Sequence, residues 1–255
     1  MLETIFTDLS GLSIITIALL IGISIVAGFL RGLAGFGSGM LMAGPMALLM
    51  KPSIAIAIIV ILEACISLPL MKTARKHVNW QLTKRLLMGA ILIAPIGVYS
   101  LHLLSAKSSG QIISALVIVG AIALLVGYKR KGETTKAKEI AIGGASGFCC
   151  GIAGISGPPV VLYLLSGEHN HKEMRATLIY YFALIDFYVL MALLTLDEFS
   201  LLPFVVAFAC FPFMWFGANF GTKKIVNTNP QQYKSWALWT IIVGNIISLV
   251  AVFIS

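Results

Sequence analysis

One glycine-rich phrase occurs twice in this chain. Gly28-Phe29-Leu30-Arg31-Gly32-Leu33-Ala34-Gly35, followed by Ser38-Gly39, returns 119 residues later as Gly147-Phe148-Cys149-Cys150-Gly151-Ile152-Ala153-Gly154, followed by Ser156-Gly157. Each copy lies where an apolar helical pattern gives way to glycine and then to proline, Pro45 in the first and Pro158-Pro159 in the second. Hydrophobic segments broken at matching places in two halves of a chain are the sequence mark of a transporter's binding site. An internally duplicated membrane protein is expected, with its function at the two breaks.

The solvent is set by composition. Of the residues, 59% are hydrophobic and only 11% charged, with a mean hydropathy of +0.98, against roughly a quarter charged in a soluble domain. Six apolar stretches, at about 53–71, 84–104, 110–128, 173–195, 200–222 and 235–254, each approach the roughly 20 residues that a helix needs to cross a bilayer. An all-α integral membrane protein follows. Glu3 and Asp8 occupy the place of a positive signal-peptide n-region and no small-residue cleavage site follows, so the first apolar segment is expected to be retained.

Charge assigns sides. Fifteen of the 18 Lys and Arg fall in 72–85, 129–138, 172–175 and 223–234, and only Arg31, Lys51 and Lys107 lie elsewhere. The first group is cytoplasmic by the positive-inside rule. The net charge of +8 is then a topology signal, and without a stripe of interleaved aromatic and basic residues it gives no reason to expect nucleic acid. Counting crossings places Lys51 and the Asp197-Glu198 turn outside, His169 to Lys172 inside, and both termini in the periplasm. Each glycine unit must then return to the side from which it came, and its second arm, 39–50 or 158–166, at 1.5 Å per residue, is too short to span. Both units are read as re-entrant hairpins.

Each repeat is therefore a broken hairpin followed by three crossings. An odd number of crossings inserts the second copy upside down, the inverted-topology plan of secondary transporters. The first repeat is read as 1–128, a basic cytoplasmic linker as 129–139 and the second repeat as 140–255. The backbone at the breaks, at Gly35, Gly37 and Gly39 and at Gly154 and Gly157, frees amide N–H groups that hydrocarbon cannot satisfy. Helices starting near Gly39 and Pro158 aim positive ends at the same region, a setting for an anion. Ser38 and Ser156 add hydroxyl donors.

These residues resemble a family. The two GFxxGxAG phrases, the prolines beyond them, a length near 250 and the basic central linker are similar to the TauE/SafE sulfite exporter family, also called the four-TMS sulfite exporter family. The resemblance implies a multi-pass permease of the bacterial inner membrane, with no cofactor, for small sulfur-containing or organic anions such as sulfite, sulfoacetate or other sulfonates. A homo-oligomer is compatible with it. It also implies that Arg175, in Lys172-Glu173-Met174-Arg175-Ala176-Thr177, is a basic position kept after the second hairpin; the first repeat has Lys51-Pro52-Ser53 there instead.

Three charged groups fall inside apolar segments: Arg31 at the first hairpin, and Glu63 and Asp186 near the middles of their spans. Charges placed so are functional by default. Asp186 lies one helical turn beyond the repeat mate of Glu63, so the two acids can share one depth. Burial there penalises the ionised form, which suits proton carriage coupled to anion movement. The alternative for each acid is a structural role, protonated or paired with Arg31.

Cys65, Cys149, Cys150 and Cys210 lie in apolar stretches without CxxC spacing, and read as buried thiols rather than a zinc site or disulfides. Gly154-Ile155-Ser156-Gly157 also fits the GxSG pattern of intramembrane serine proteases. That chemistry needs a histidine at the same depth, whereas His77, His169 and His171 belong to loops and His102 to the outer end of a span. A transporter is expected rather than an enzyme; an anion channel built on the same residues remains the other transport reading.

Overall fold

The computed structural model describes residues 13–127, 134–167, 170–196, 201–224 and 230–254. Within them the chain forms ten α-helices and one 3₁₀ turn, with no strand: α1 Ile14–Ala34, α2 Ser38–Leu49, α3 Pro52–Ala74, the 3₁₀ turn Arg75–His77, α4 Trp80–Leu103, α5 Ala106–Val126, α6 Lys136–Ala153, α7 Gly157–Ser166, α8 His171–Leu196, α9 Leu202–Lys224 and α10 Pro230–Ile254. The start of the basic linker, His169, the Asp197-Glu198 turn and residues 225–229 lie outside the described residues.

Among the described residues six helices are long and apolar enough to cross a membrane: Ile14–Leu33, Pro52–Lys72, Trp80–Leu103, Ala106–Val126, Lys172–Thr195 and Leu202–Lys223. Five coincide with expected spans. The sixth is the first segment, Ile14–Leu33, expected as a hairpin arm and here a full-length helix; the span expected at 235–254 lies within α10, Pro230–Ile254. The reason is local. Ser13 caps the start of α1 by accepting from the Thr16 N–H, and nothing interrupts the helix before Gly35 turns into the left-handed region at φ 76. The first hairpin thus joins one long arm to one short arm, α2.

Among the described residues five helices precede the linker and five follow it, and two helix pairs across the halves match. The close contacts of glycines show the match in detail. In α4, a Cβ on Gly97 would strike Phe148 O and crowd the Ile152 N–H of α6; in α9, a Cβ on Gly221 would strike Phe29 O and crowd the Leu33 N–H of α1. Phe148 and Ile152 lie 119 residues after Phe29 and Leu33. The long arm of each hairpin therefore packs, through the same glycine-to-backbone approach, on the second of the three crossings of the other half. Small residues at such interfaces let helix backbones come together where lipid gives no hydrophobic drive.

At the centre, α3 and α8 run antiparallel. The Tyr180 hydroxyl donates to Met71 O at 2.9 Å, Asn79 Nδ2 donates to Glu173 at 2.7 Å, and Glu63 and Asp186 face one cavity from the middles of the two helices. The short arms are braced from outside this pair. Asn245 of α10 donates to Met40 O of α2 at 3.0 Å, and the Pro158 ring of α7 fits the space left by Gly120 of α5. Exposed large side chains such as Leu92, Val119, Phe216 and Ile247 line the periphery, as a hydrocarbon solvent requires.

Candidate anion site between two helix breaks

Helix ends make the site. The helices α1, α4, α5 and α6 begin under side-chain caps from Ser13, Asn79, Ser105 and Thr135. The short arms do not: α2 starts at Gly37 (φ 94) and α7 at Ser156, neither with a side-chain cap. An uncapped first turn leaves N–H donors open and carries the positive end of the helix dipole. The two starts meet, for a Cβ on Gly39 would lie 3.3 Å from Gly154 O. Pro158 and Pro159 bring no N–H, so α7 offers fewer donors than α2.

Between the breaks lies a cavity of about 20 Å³, room for roughly one water. Its wall takes Gly37, Gly39 and Arg31 from the first hairpin and Gly154, Ser156 and Gly157 from the second. Glu63 and Asp186 close it from α3 and α8, with Phe36, Met40, Ile155 and Phe182 as its apolar side. The expected residues are thus largely brought together. Gly35 is the αL cap that ends α1, and Pro158 is buried against α5. Arg175 is not gathered: it is exposed near the start of α8, about three turns before Asp186, because helical rise carries it some 16 Å along the axis.

Arg31 is buried and heavily engaged. Its Nη1 pairs with the Glu63 carboxylate and donates to Ser38 Oγ at 3.4 Å, while Nη2 donates to Ser67 Oγ at 2.7 Å. Ser38 in turn donates to the other Glu63 oxygen, and Ser67 donates to Glu63 O at 2.7 Å. These bonds occupy three of the five N–H donors of a guanidinium, leaving two without a partner among the described residues. Glu63 is thus paired with Arg31. Asp186 has a different partner, the Cys150 thiol, which donates to its Oδ1 at 3.5 Å.

Ser67 and Cys150 were not singled out as site residues by sequence. A signal existed for both: Cys150 lies 119 residues after Arg31, and Asp186 the same distance after Ser67. The Ser156 hydroxyl makes no hydrogen bond among the described residues, whereas Ser146 Oγ donates to the Ser156 carbonyl and holds the break in place. Cys150 and Cys210 are buried, but Cys65 and Cys149 are partly exposed, contrary to expectation, and all four thiols are free. Of the histidines, His77 lies in the 3₁₀ turn and His102 folds its ring back on Val98 O; neither lines the cavity.

The sulfite exporter TauE/SafE family profile matches residues 20–249, which takes in both breaks, most of α1 and the other five long apolar helices. The chain belongs to this family. At family level it is a multi-pass membrane transporter of sulfur anions. A transporter family accords with a role other than catalysis. Neither a curated protein nor a solved structure matches the chain.

Proposed function

We propose that the protein is a secondary transporter, working as an exporter in the bacterial inner membrane, of small sulfur-containing or organic anions such as sulfite, sulfoacetate or other sulfonates. The anion binds at mid-membrane between the breaks at 35–39 and 154–157. The observation that carries this reading is the meeting of two uncapped helix starts beside a buried arginine that retains free N–H donors. Such a constellation favours a negative charge with several oxygen acceptors. A cavity of about 20 Å³ is too small for any of these anions, so binding requires the hairpins to draw apart. That coupling of occupancy to hairpin movement suits a carrier rather than a pore.

The two halves, 1–128 and 140–255 with the 129–139 linker between them, work in this reading as inverted repeats, both termini in the periplasm. The matched glycine contacts and the antiparallel central pair α3 and α8 support it. Asp186 serves as the principal proton carrier. Ionised, it would repel a nearby anion by several kcal/mol at about 4 Å in a partly screened site; protonated, it would not. Lower pH should therefore tighten anion binding, and anion and proton should move together. Glu63 instead serves as the partner of Arg31.

Solid-supported-membrane currents from proteoliposomes challenged with sulfite, sulfoacetate, sulfate, lactate and pyruvate test the proposal. A saturable, pH-dependent current with one or two of these anions is expected. No current with any of them, or a current that never saturates and shows no counterflow, contradicts the carrier.

A further inference from the structure

The interface of α4 with α6 is not closed on its outer side. An apolar groove of about 570 Å³ runs there, bounded by Gly89, Leu92 and Ile93 of α4 and by Gly144, Ala145 and Phe148 of α6. It follows α6 from Ile140 to Cys149, about 14 Å at 1.5 Å per residue. The matching interface of α1 with α9 carries larger side chains. Gly144 and Ala145 are replaced there by Ile25 and Val26, 119 residues earlier, and Gly89 by Phe213, 124 residues later, the offset that also relates Gly97 to Gly221. The same glycine-to-backbone approach is thus lined by small residues in one interface and by large ones in the other.

The mouth of the groove is basic. Lys84, Met88 and Leu92 follow one face of α4, and Lys138, Ala141 and Ala145 one face of α6, each set spaced by three or four residues and exposed. Because α4 and α6 run parallel, both lysines stand at the same end, Lys84 five residues and Lys138 two residues beyond the groove's edge. Arg85 beside them is already committed to Glu139 at 2.8 Å. Neither lysine has an ion-pair partner among the described residues, and the positions that match them in the other half are Phe208 and Leu19.

We infer that this groove binds an anionic phospholipid, one acyl chain lying between Gly89 and Ala145 and the headgroup phosphate held by Lys84 and Lys138. Hydrocarbon alone would fill the slot with any lipid; the unpaired lysines at one end select a negative headgroup. The site lies on the far face of the hairpin's long arm, so an occupied groove holds α6 against α4.

Native mass spectrometry of the intact protein released from nanodiscs tests this, with phosphatidylglycerol and phosphatidylcholine as probes. The wild type should retain one phosphatidylglycerol, at least tenfold preferred over phosphatidylcholine. The Lys84→Ala/Lys138→Ala double variant, changed only at exposed positions, should lose that preference, while Ala145→Phe should displace both lipids. Equal retention of the two lipids by the wild type, unchanged preference in the lysine variant, or retention undisturbed by Ala145→Phe would each overturn the inference. A dimer peak abolished by Ala145→Phe would overturn it too, by assigning the groove to a second copy of the chain.

Discussion

The two breaks share a scaffold and differ in chemistry. In the first, Arg31 of the long arm donates to Ser67 of the helix behind it at 2.7 Å; in the second, the equivalent pair is Cys150 and Asp186, at 3.5 Å. The arginine position has become a thiol and the serine position an acid. Duplication has kept the meeting of a hairpin arm with a central helix while moving the charge across it. The first break holds a fixed cation with its own counter-ion, Glu63, and the second an acid with only a weak thiol donor. In the proposed mechanism the first break attracts the anion and the second responds to protons.

The largest effect separating the halves should come from Arg31→Gln. It removes the cation from Glu63, and breaking a buried ion pair from one side costs about 3–5 kcal/mol. Both a lower melting temperature and the loss of anion-induced current are expected, and the double variant Arg31→Gln/Glu63→Gln should regain stability without regaining current. Restored current in the double variant would make the pair merely structural.

Next in size is Asp186→Asn, which imitates the protonated acid. Exchange of labelled anion across the membrane should persist, while accumulation driven by a pH gradient should disappear. If pH-driven accumulation survives in Asp186→Asn and in Glu63→Gln alike, neither acid couples transport. Gly39→Ala should then reduce transport while leaving membrane insertion intact, because its Cβ would crowd Gly154 O at 3.3 Å and wedge the breaks; normal kinetics in this variant would show that the breaks need not approach so closely.

The smallest contrast lies in the serines. Ser38 is fully buried and bonded to both Arg31 and Glu63, so Ser38→Ala should weaken anion affinity by about 1.5–3 kcal/mol, the range for a bond to a charged group. Ser156 makes no such bond, and Ser156→Ala should cost no more than about 1 kcal/mol. Equal losses measured by titration would erase the asymmetry between the breaks.

Much of this was legible in the residues themselves. Glycine followed by proline marks where an apolar helix must stop, so the breaks at Gly35 to Gly39 and at Gly154 to Pro159 could be placed to within a residue or two of the observed helix ends. Arg31, Glu63 and Asp186 stood out because charge is costly in hydrocarbon. The full length of α1 was less visible, since the topology count assigned Ile14 to Leu33 to a returning hairpin and hydropathy alone does not say how a helix is tilted or braced. Ser67 and Cys150 were hidden for another reason. A serine or cysteine in an apolar helix is inconspicuous until a neighbouring helix brings a charge to it, as the Arg31 side chain of α1 reaches Ser67 of α3 and Asp186 of α8 meets Cys150 of α6. Arg175 shows the converse: a prominent basic residue whose helix carries it away from the site.

The central claim is that the transported anion occupies the space between the breaks. Its most direct test is protection of a single cysteine. With the native cysteines removed, Ser156→Cys in proteoliposomes should be modified by a membrane-permeant thiol reagent, and the anion that gives current, sulfoacetate for instance, should slow that modification in proportion to its occupancy, while leaving Arg175→Cys unaffected. Equal protection at both positions, or none at position 156 at saturating anion, would place the binding site elsewhere.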